Sequence, residues 1–580
     1  MILKALYDYY HRSDDLPVPG MEEKEIGFLL VISKDGQFIR LEDCRNDKTH
    51  AKSYLVKKHV SRTSAVAPNY LYDNVSYVTG YCQTEKIKKE SDKEKEEAKA
   101  ASCFEAFKAN VNAIASAFPD NEELRAIQLF YENSREQILE WVLQDPLWED
   151  VQKNLSKKYS FFSFRIDGKL KIIAEQKALL QLDTEEENCE QQSICLITGK
   201  QGEIVETTTA TMIPGSQATA KIVSFQVNSG YDSYGKTKCA NAPISKDAEF
   251  AYTTALNTML RSGSHNKFSL GNRTFVFWAS AQNEAGVQAE ESIFSMLGFT
   301  DEPKDDPNAN VLKIRKVFEA IYSGSLHTGR NDKFYILGLA PNAARIAVVY
   351  WSEVTLKEFA GQILRHFSDM EICDTRNNPK PYQGVREMIS SVTLGGKLQD
   401  ATPNLPEALI QSVFQGLPYP FSLYSSCIRR IRAEQKLTIT RVAIIKAYLN
   451  RLHQVDSKKI MTMLDKDNTN QGYLCGRLFA VLDKIQEEAN NVNSIRERYL
   501  NAASATPAAV FATILNLSNH HIDKLTEGRK IAFEKLKQEI FSKLSADGFP
   551  AHLDLQDQGR FFVGYYHQRQ DFFTSKKEQE

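Results

Sequence analysis

Three groupings of side chains in this sequence could do chemistry. Gly230-Tyr-Asp-Ser-Tyr-Gly235-Lys236-Thr237 satisfies the phosphate-loop pattern G-x-x-x-x-G-K-[S/T], behind a strand-like run, KIVSFQV. A working loop of that kind runs straight into a helix whose first amides hold phosphate, yet Pro243 follows within two turns. Tyr231 and Tyr234 also put bulk where phosphate cradles carry small residues, and no strand ending in a magnesium-binding aspartate follows. The match is read as chance, with nucleotide hydrolysis kept as an alternative. The second grouping is VKKHVSRTSAVAPNYLYDNVSYVTGY, residues 56–81, which places Lys57, Lys58 and Arg62 beside Ser64, Asn69 and Asn74, with Tyr70, Tyr72 and Tyr77 between. Carboxamides donate and accept hydrogen bonds, which suits a minor groove rich in acceptors, where guanine alone adds a donor. By composition alone, a polar loop capping a helix is the favoured account of the same residues. The third grouping runs from Arg429 to Lys459. It holds Arg429, Arg430, Arg432, Lys436, Arg441, Lys446, Arg451, Lys458 and Lys459 against only Glu434 and Asp456. Such a local excess reads equally as a stripe facing nucleic-acid phosphate or as an ordinary solvated helix face.

Other reactive residue types form no pattern. Nucleophile elbows, paired catalytic carboxylates and Ser/His/Asp orders cannot be located, because the eleven histidines and many acids show no diagnostic spacing, so no catalytic residue is assigned. His520 and His521 are adjacent, which on a helix turns them about 100° apart and denies them a shared metal in the i, i+4 manner. Nine cysteines, none spaced C-x-x-C, read as reduced thiols. Cys189 and Cys195 could supply half a zinc site, but no second pair follows. No metal or cofactor is expected.

The elements that must position these groups fall into a sequence of characters. Residues 26–41 hold two apolar runs joined by Lys34-Asp35-Gly36, the punctuation of a hairpin. Residues 85–100 alternate charge with almost nothing to bury, a solvated helix or mobile loop. From about 155 to 355 strand-like runs (KIVSFQV, RTFVFWAS, KFYILGLA, ARIAVVYW) alternate with helical stretches such as FAYTTALNTML. Beyond about residue 405 helical periodicity takes over, and Leu478, Leu482, Ile485, Ala489 and Val492 lay one apolar stripe along a helix. Thr506-Pro507 and Gly548-Phe549-Pro550 divide the remainder into several helices. The expected class is α+β: an N-terminal α/β region over 1–155, a mixed α/β middle over 156–404, and an all-helical bundle over 405–580.

Length and composition bound the function. A chain of 580 residues exceeds one ordinary core, and 42% hydrophobic with 25% charged residues is a globular balance. Lys and Arg (72) nearly equal Asp and Glu (74), so any polyanion binding must be local. No apolar run approaches the roughly 20 residues of a membrane-spanning helix. Residues 1–11 lack a secretion-signal pattern, so a cytoplasmic location is expected.

Several blocks together resemble one family, the large subunit of the type I-C CRISPR surveillance complex, Cascade (the Cas-eight subtype-c, or Csd, proteins). They are LKALYDYY, the RTSxxxPNYLYDNVSYVTG block, SYGK with NAPIS and AYTTALN, and LGLAPNAARIAV. In the C-terminal half they are CIRRIRAE, RVAIIKAYLNR, LDKDNTNQGYLCGRLFAVLDKIQEEAN, RYLNAASATPAAVF and FPAHLDLQDQGRFFVGYYHQRQ. The resemblance implies a non-catalytic subunit that joins a guide-RNA complex beside its backbone and 5′-handle-binding subunits. It also implies reading of a protospacer-adjacent motif in target double-stranded DNA, stabilisation of strand separation and the R-loop, and recruitment of a helicase-nuclease. Small subunits made by internal translation, here from Met461 or Met463, are a further implication. The run TATMIPGSQATAK, after Cys195, departs from the family by lacking a histidine and glycine-rich pattern. On this reading Lys57, Lys58, Arg62, Ser64, Asn69 and Asn74 contact the duplex. Lys236, Arg345, Arg429, Arg430, Arg432, Lys436, Arg441 and Lys446 are the backbone-contact candidates. A scaffold that never touches DNA is the remaining alternative.

Overall fold

The computed structural model describes residues 1–574 except 14–15, 61, 63–65, 85–88, 177–178, 180–181, 183–191, 212, 229, 231–232, 262, 271, 298–308, 344, 377–382, 403, 453–458 and 492–493. The protein is α+β and divides into two compact units. One, here the N-terminal unit, comprises Ser13–Thr209 and Phe225–Thr258; the other, the C-terminal unit, comprises Met1–Arg12, Ala210–Ser224 and Met259–Glu580. Residues 156–404 therefore contribute to both.

In the N-terminal unit, the expected hairpin is β2 (Phe28–Ile32) and β3 (Phe38–Asp43), beyond α1 (Ile2–Arg12) of the other unit and β1 (Met21–Glu25). Its turn needs Gly36, whose φ is +74° and whose Cα lies so near α4 (Glu122–Phe130) that a Cβ would stand 2.6 Å from Phe130 N. β2 is buried along its whole length, because it lies inside a sheet ordered β3-β2-β6-β5, with β5 Tyr72–Asn74 and β6 Phe161–Ile166. β6 runs parallel to β2 and antiparallel to β5. β1 pairs separately with β4 (Ser53–Lys57). The helices are α2 (Val75–Val78), α3 (Glu90–Ala117), α4, α5 (Arg135–Gln144) and α6 (Trp148–Asn154). The charged run forms the exposed start of α3, apart from residues 85–88, which lie outside the described ones; Phe104, Phe107, Val111 and Ile114 then anchor the helix at spacings of three and four. β7 (Gln192–Ile194), β8 (Gln201–Glu203) and α7 (Lys246–Leu260) follow.

The C-terminal unit holds an antiparallel sheet ordered β12-β11-β10-β9, from β9 (Lys267–Leu270), β10 (Arg273–Ala279), β11 (Lys333–Asn342) and β12 (Arg345–Thr355). α8 (Glu284–Met296), α9 (Ala309–Ser323) and α10 (Leu356–Met370) share its core, where the Phe334 and Phe359 rings stack at 4.3 Å. The strand runs RTFVFWAS, KFYILGLA and ARIAVVYW are β10, β11 and β12. KIVSFQV is not a strand; Lys221 forms an isolated bridge to Arg345, and the run is at least part-exposed throughout. β-Rich composition does not by itself make a strand, because β-propensity depends on the surface the run packs against.

From α11 (Val385–Val392) the unit is helical: α12 (Leu405–Phe414), α13 (Phe421–Glu434), α14 (Ile439–Leu452), α15 (Gln471–Asn490), α16 (Ser494–Ala505), α17 (Pro507–Ile522), α18 (Glu527–Phe541) and α19 (Leu555–Asp571). Pro507 opens α17, where its missing N–H costs nothing. α15 differs from the expected one-sided helix: Gly472 through Asp483 are all buried, so the Leu478, Leu482 and Ile485 stripe is one flank of an enclosed rod. It runs alongside α19 in the same direction, with Gly472 against Asp557, Gly476 against Phe561 and Gly564 against Tyr473. At all three glycines a Cβ would fall within 2.5 Å of a backbone oxygen, so the two backbones touch. Among the described residues no helix is long and apolar enough to cross a membrane.

Candidate nucleic-acid interface

The loop between β4 and β5 is organised around a residue that the sequence reading passed over. Asp73, fully buried, accepts from both terminal nitrogens of Arg62 (2.7 and 3.1 Å), from Asn69 N (2.9 Å) and from Asn74 N (2.8 Å). Each carboxylate oxygen thus faces two donors. Arg62 also donates to Ala67 O (2.7 Å) and lies over the Tyr77 ring (4.4 Å). Leu71, buried at φ +63°, is a left-handed residue that turns the chain into β5, and its carbonyl accepts from Ser163 Oγ at 2.9 Å. Asp73→Asn must present an NH2 to one of the two donor pairs whichever way the amide turns. That change is expected to cost about 2 kcal/mol in urea unfolding of the full chain; an unaltered midpoint would show that the carboxylate is not the hub.

Around this hub the expected contacts separate. Lys57 is 1% exposed, donates to Leu182 O (2.7 Å) and sits over the Tyr70 ring (4.1 Å), so its charge serves the fold. Asn69 is likewise buried, its Oδ1 accepting from Val60 N (2.9 Å). Arg62 is committed to Asp73. Ser64 lies outside the described residues. Lys58 remains exposed, and Asn74 is part-exposed at the end of β5. Asn74 Oδ1 accepts from Ser76 Oγ (2.6 Å), while its Nδ2 meets no protein acceptor among the described residues.

Two further groups stand beside Asn74 that linear spacing could not show. Phe161 is its ladder partner, and Lys24 Nζ lies 4.1 Å over the Phe161 ring. On β1, the strand that carries Lys24, Glu22 binds His59 Nδ1 (2.9 Å) and the Tyr72 hydroxyl (3.1 Å). Burial alone would raise the Glu22 carboxyl, but His59, Lys24 and Tyr72 outweigh it and hold it below the usual range.

The 429–459 cations do not form one solvent-facing stripe. Arg441, 5% exposed, donates to Ser391 O, Lys436 O and Glu434. Lys446, 3% exposed, donates to Ser368 O and Asp369 O, and burial pulls its ammonium down from the usual value. Arg451 binds Asp369 (2.6 Å) and stacks on Tyr419 (4.1 Å). These three pin α14 to its neighbours, because they lie on a helix buried on most sides. Arg430 pairs with Glu434, Lys458 lies outside the described residues, and Lys459 is exposed. Arg429 and Lys436 are exposed and Arg432 part-exposed. Asn501 Nδ2 on Arg432 O (3.0 Å) and Gln435 Nε2 on Glu497 O (2.8 Å) bring α16, with exposed Arg498, beside them.

Lys236 and Arg345 are exposed, on the N-terminal and C-terminal units respectively. Tyr231 and Asp232 of the phosphate-loop pattern lie outside the described residues, and the described part does not run into an α-helix. After Thr237 comes a single 3-10 turn, Lys238–Asn241, the next α-helix opens at Lys246, and Tyr234 is 99% exposed at φ +56°. Among the described residues there, no α-helix N-terminus follows Thr237 to offer its first amides to phosphate. No group of three potential metal ligands occurs among the described residues, and the described cysteines are free thiols.

A family model described as CRISPR-associated protein (Cas_Csd1) matches residues 6–573. No curated protein matches the chain.

Proposed function

This chain belongs to the Cas_Csd1 family of CRISPR-associated proteins, and on that premise we propose that it is the large subunit of a type I-C Cascade that reads a motif in target double-stranded DNA through Asn74. The observation that carries the reading is the partly exposed Asn74 carboxamide on a buried, fully hydrogen-bonded hub, with Lys58 exposed nearby in the chain. A rigid mount aims an amide at one place, and an amide offers both hydrogen-bond roles to base edges. Guide pairing then reads the remaining sequence, and the subunit stabilises the R-loop and recruits the helicase-nuclease. The exposed Arg429, Lys436 and Arg498 suit the backbone of a displaced strand. The subunit works in the cytoplasm within a guide-RNA complex, beside backbone and 5′-handle-binding subunits, and performs no catalysis itself. A product starting at Met461 or Met463 would carry α15 to α19 as a small subunit.

The test uses the assembled complex and a target library randomised beside the guide-matched segment. Asn74→Ala is expected to narrow the gap between preferred and rejected motifs by about 1–3 kcal/mol, roughly 5- to 150-fold. Equal weakening on all motifs would reject the base-reading role, and turnover of ATP by the purified chain would favour the nucleotide-hydrolase alternative.

A further inference from the structure

Two lysine-bearing turns of the N-terminal unit, more than a hundred residues apart in sequence, are held side by side by one buried tyrosine. Tyr159 is fully buried; its hydroxyl lies 3.1 Å from Asn154 Oδ1 and 3.4 Å from Lys48 O, and its carbonyl accepts from Gly27 N at 2.8 Å. Gly27 cannot carry a side chain, since a Cβ would stand 2.7 Å from Tyr159 O. The first turn, 46–50, closes through Asn46 N on His50 O (3.0 Å), and the second through Ser160 N on Lys157 O (3.1 Å). Lys48 projects from one and Lys157 and Lys158 from the other; all three are exposed, and none has a carboxylate partner among the described residues.

The nearby acids are largely engaged. Asp43 and Asp150 hold Arg45, Glu149 holds Lys153, and Glu25 meets His50 at 3.1 Å. Asp47, in the same turn as Lys48, is exposed and accepts from Thr49 N, Thr49 Oγ1 and His50 N. Three uncommitted cations therefore share a surface built on rigid turns. The second turn leads directly into Phe161, the strand partner of Asn74, so these cations stand at the same end of the sheet as the proposed base-reading amide.

We propose that Lys48, Lys157 and Lys158 form a platform that grips phosphates of the duplex flanking the motif; this rests on the reading of Asn74 given above. Duplex DNA fits the platform because its phosphates recur every few ångströms along each strand, matching cations spread over two adjacent turns. Phosphate contacts set register and orientation, while the amide supplies selection.

The experiment compares the assembled complex carrying wild-type chain, the triple change Lys48→Ala, Lys157→Ala, Lys158→Ala, and the triple change to Arg. Binding to a guide-matched duplex is titrated from 50 to 200 mM salt. Each lost phosphate contact is expected to lower the slope of log affinity against log salt by about 0.9, so three contacts amount to a roughly 40-fold difference over that range. The alanine triple should lose that salt sensitivity equally on every flanking motif, and the arginine triple should keep it. An unchanged slope overturns the platform, and so does a complex that no longer retains guide RNA, because the lysines then grip the guide. The motif library separates this from the Asn74 reading: if Asn74→Ala leaves discrimination intact while the alanine triple flattens the slope, that reading falls and the platform stands.

Discussion

Replacing Gly476 by alanine is expected to lower the stability of the full chain by about 3 kcal/mol or more. The added Cβ would stand 2.0 Å from Phe561 O, 2.8 Å from Phe561 C and 2.9 Å from Tyr565 N. None of these atoms can rotate away, since all are main chain of α19, so relief requires one helix to move against the other. Both helices are buried on nearly every side, so such a shift disturbs the packing of α14 and α17 as well. Gly528→Ala is the control: it lies in α18 with nothing within 4 Å of the added atom. There alanine should be neutral or stabilise by up to about 1 kcal/mol, because it restricts the unfolded chain more than glycine does. Urea unfolding of both variants decides the matter. Equal midpoints would mean that the α15–α19 contact relaxes freely.

Mild acid should destabilise the protein by a comparable amount through two histidines. Burial, with Arg451 beside it, pulls His366 down to about 3; burial, with Lys446 near, pulls His567 down to about 3. Each ring is held through Nδ1 by a tyrosine hydroxyl, Tyr419 at 2.7 Å and Tyr473 at 3.0 Å. An unfolded histidine titrates near 6.5. Between about 6.5 and 3 the unfolded chain therefore binds two protons that the folded chain refuses. The stabilising effect of the neutral rings is complete above about 6.5 and is lost as pH falls. At pH 5 each ring forfeits about 2 kcal/mol, together about 4 kcal/mol. Unfolding free energies at pH 7.5 and 5.0 check this, with His366→Gln and His567→Gln each expected to shrink the acid loss by about 2 kcal/mol. A wild-type loss no larger than that of the double variant would show that neither ring is buried neutral.

What the sequence made legible is what local pattern controls. The hairpin at Gly36, the strands β10 to β12 and the helices from Leu405 onward follow from turn chemistry and periodicity. KIVSFQV has the same local character as those strands but contributes to the fold as an isolated bridge at Lys221 rather than as a strand, and sheet membership is not a local property. The depth of α15 was hidden for a related reason: the apolar stripe shows only one face, and the role of Gly472 and Gly476 depends on α19 lying against them. The charge clusters show the limit most plainly. Arg441, Lys446 and Arg451 look identical to Arg429 and Lys436 in a list of residues, and only the packing of α14 decides which are spent inside. Asp73 carried no signal as one acid among tyrosines, and Lys48 with Lys157 could not be joined before Tyr159 was seen to bolt their turns together.

The order in which the chain is made meets its division into units awkwardly. α1 docks in the C-terminal unit, where Arg12 Nη2 donates to Ala279 O at 2.7 Å and Tyr9 packs edge-on to Trp278. The ribosome makes that helix well over two hundred residues before its strand. Arg12 and its acceptor Ala279 are 267 residues apart in sequence. At about 5–20 residues per second, that separation leaves roughly 13 to 53 seconds in which α1 is synthesised but has no strand β10 to dock against. Over that interval the apolar face of α1 is open to a holding chaperone.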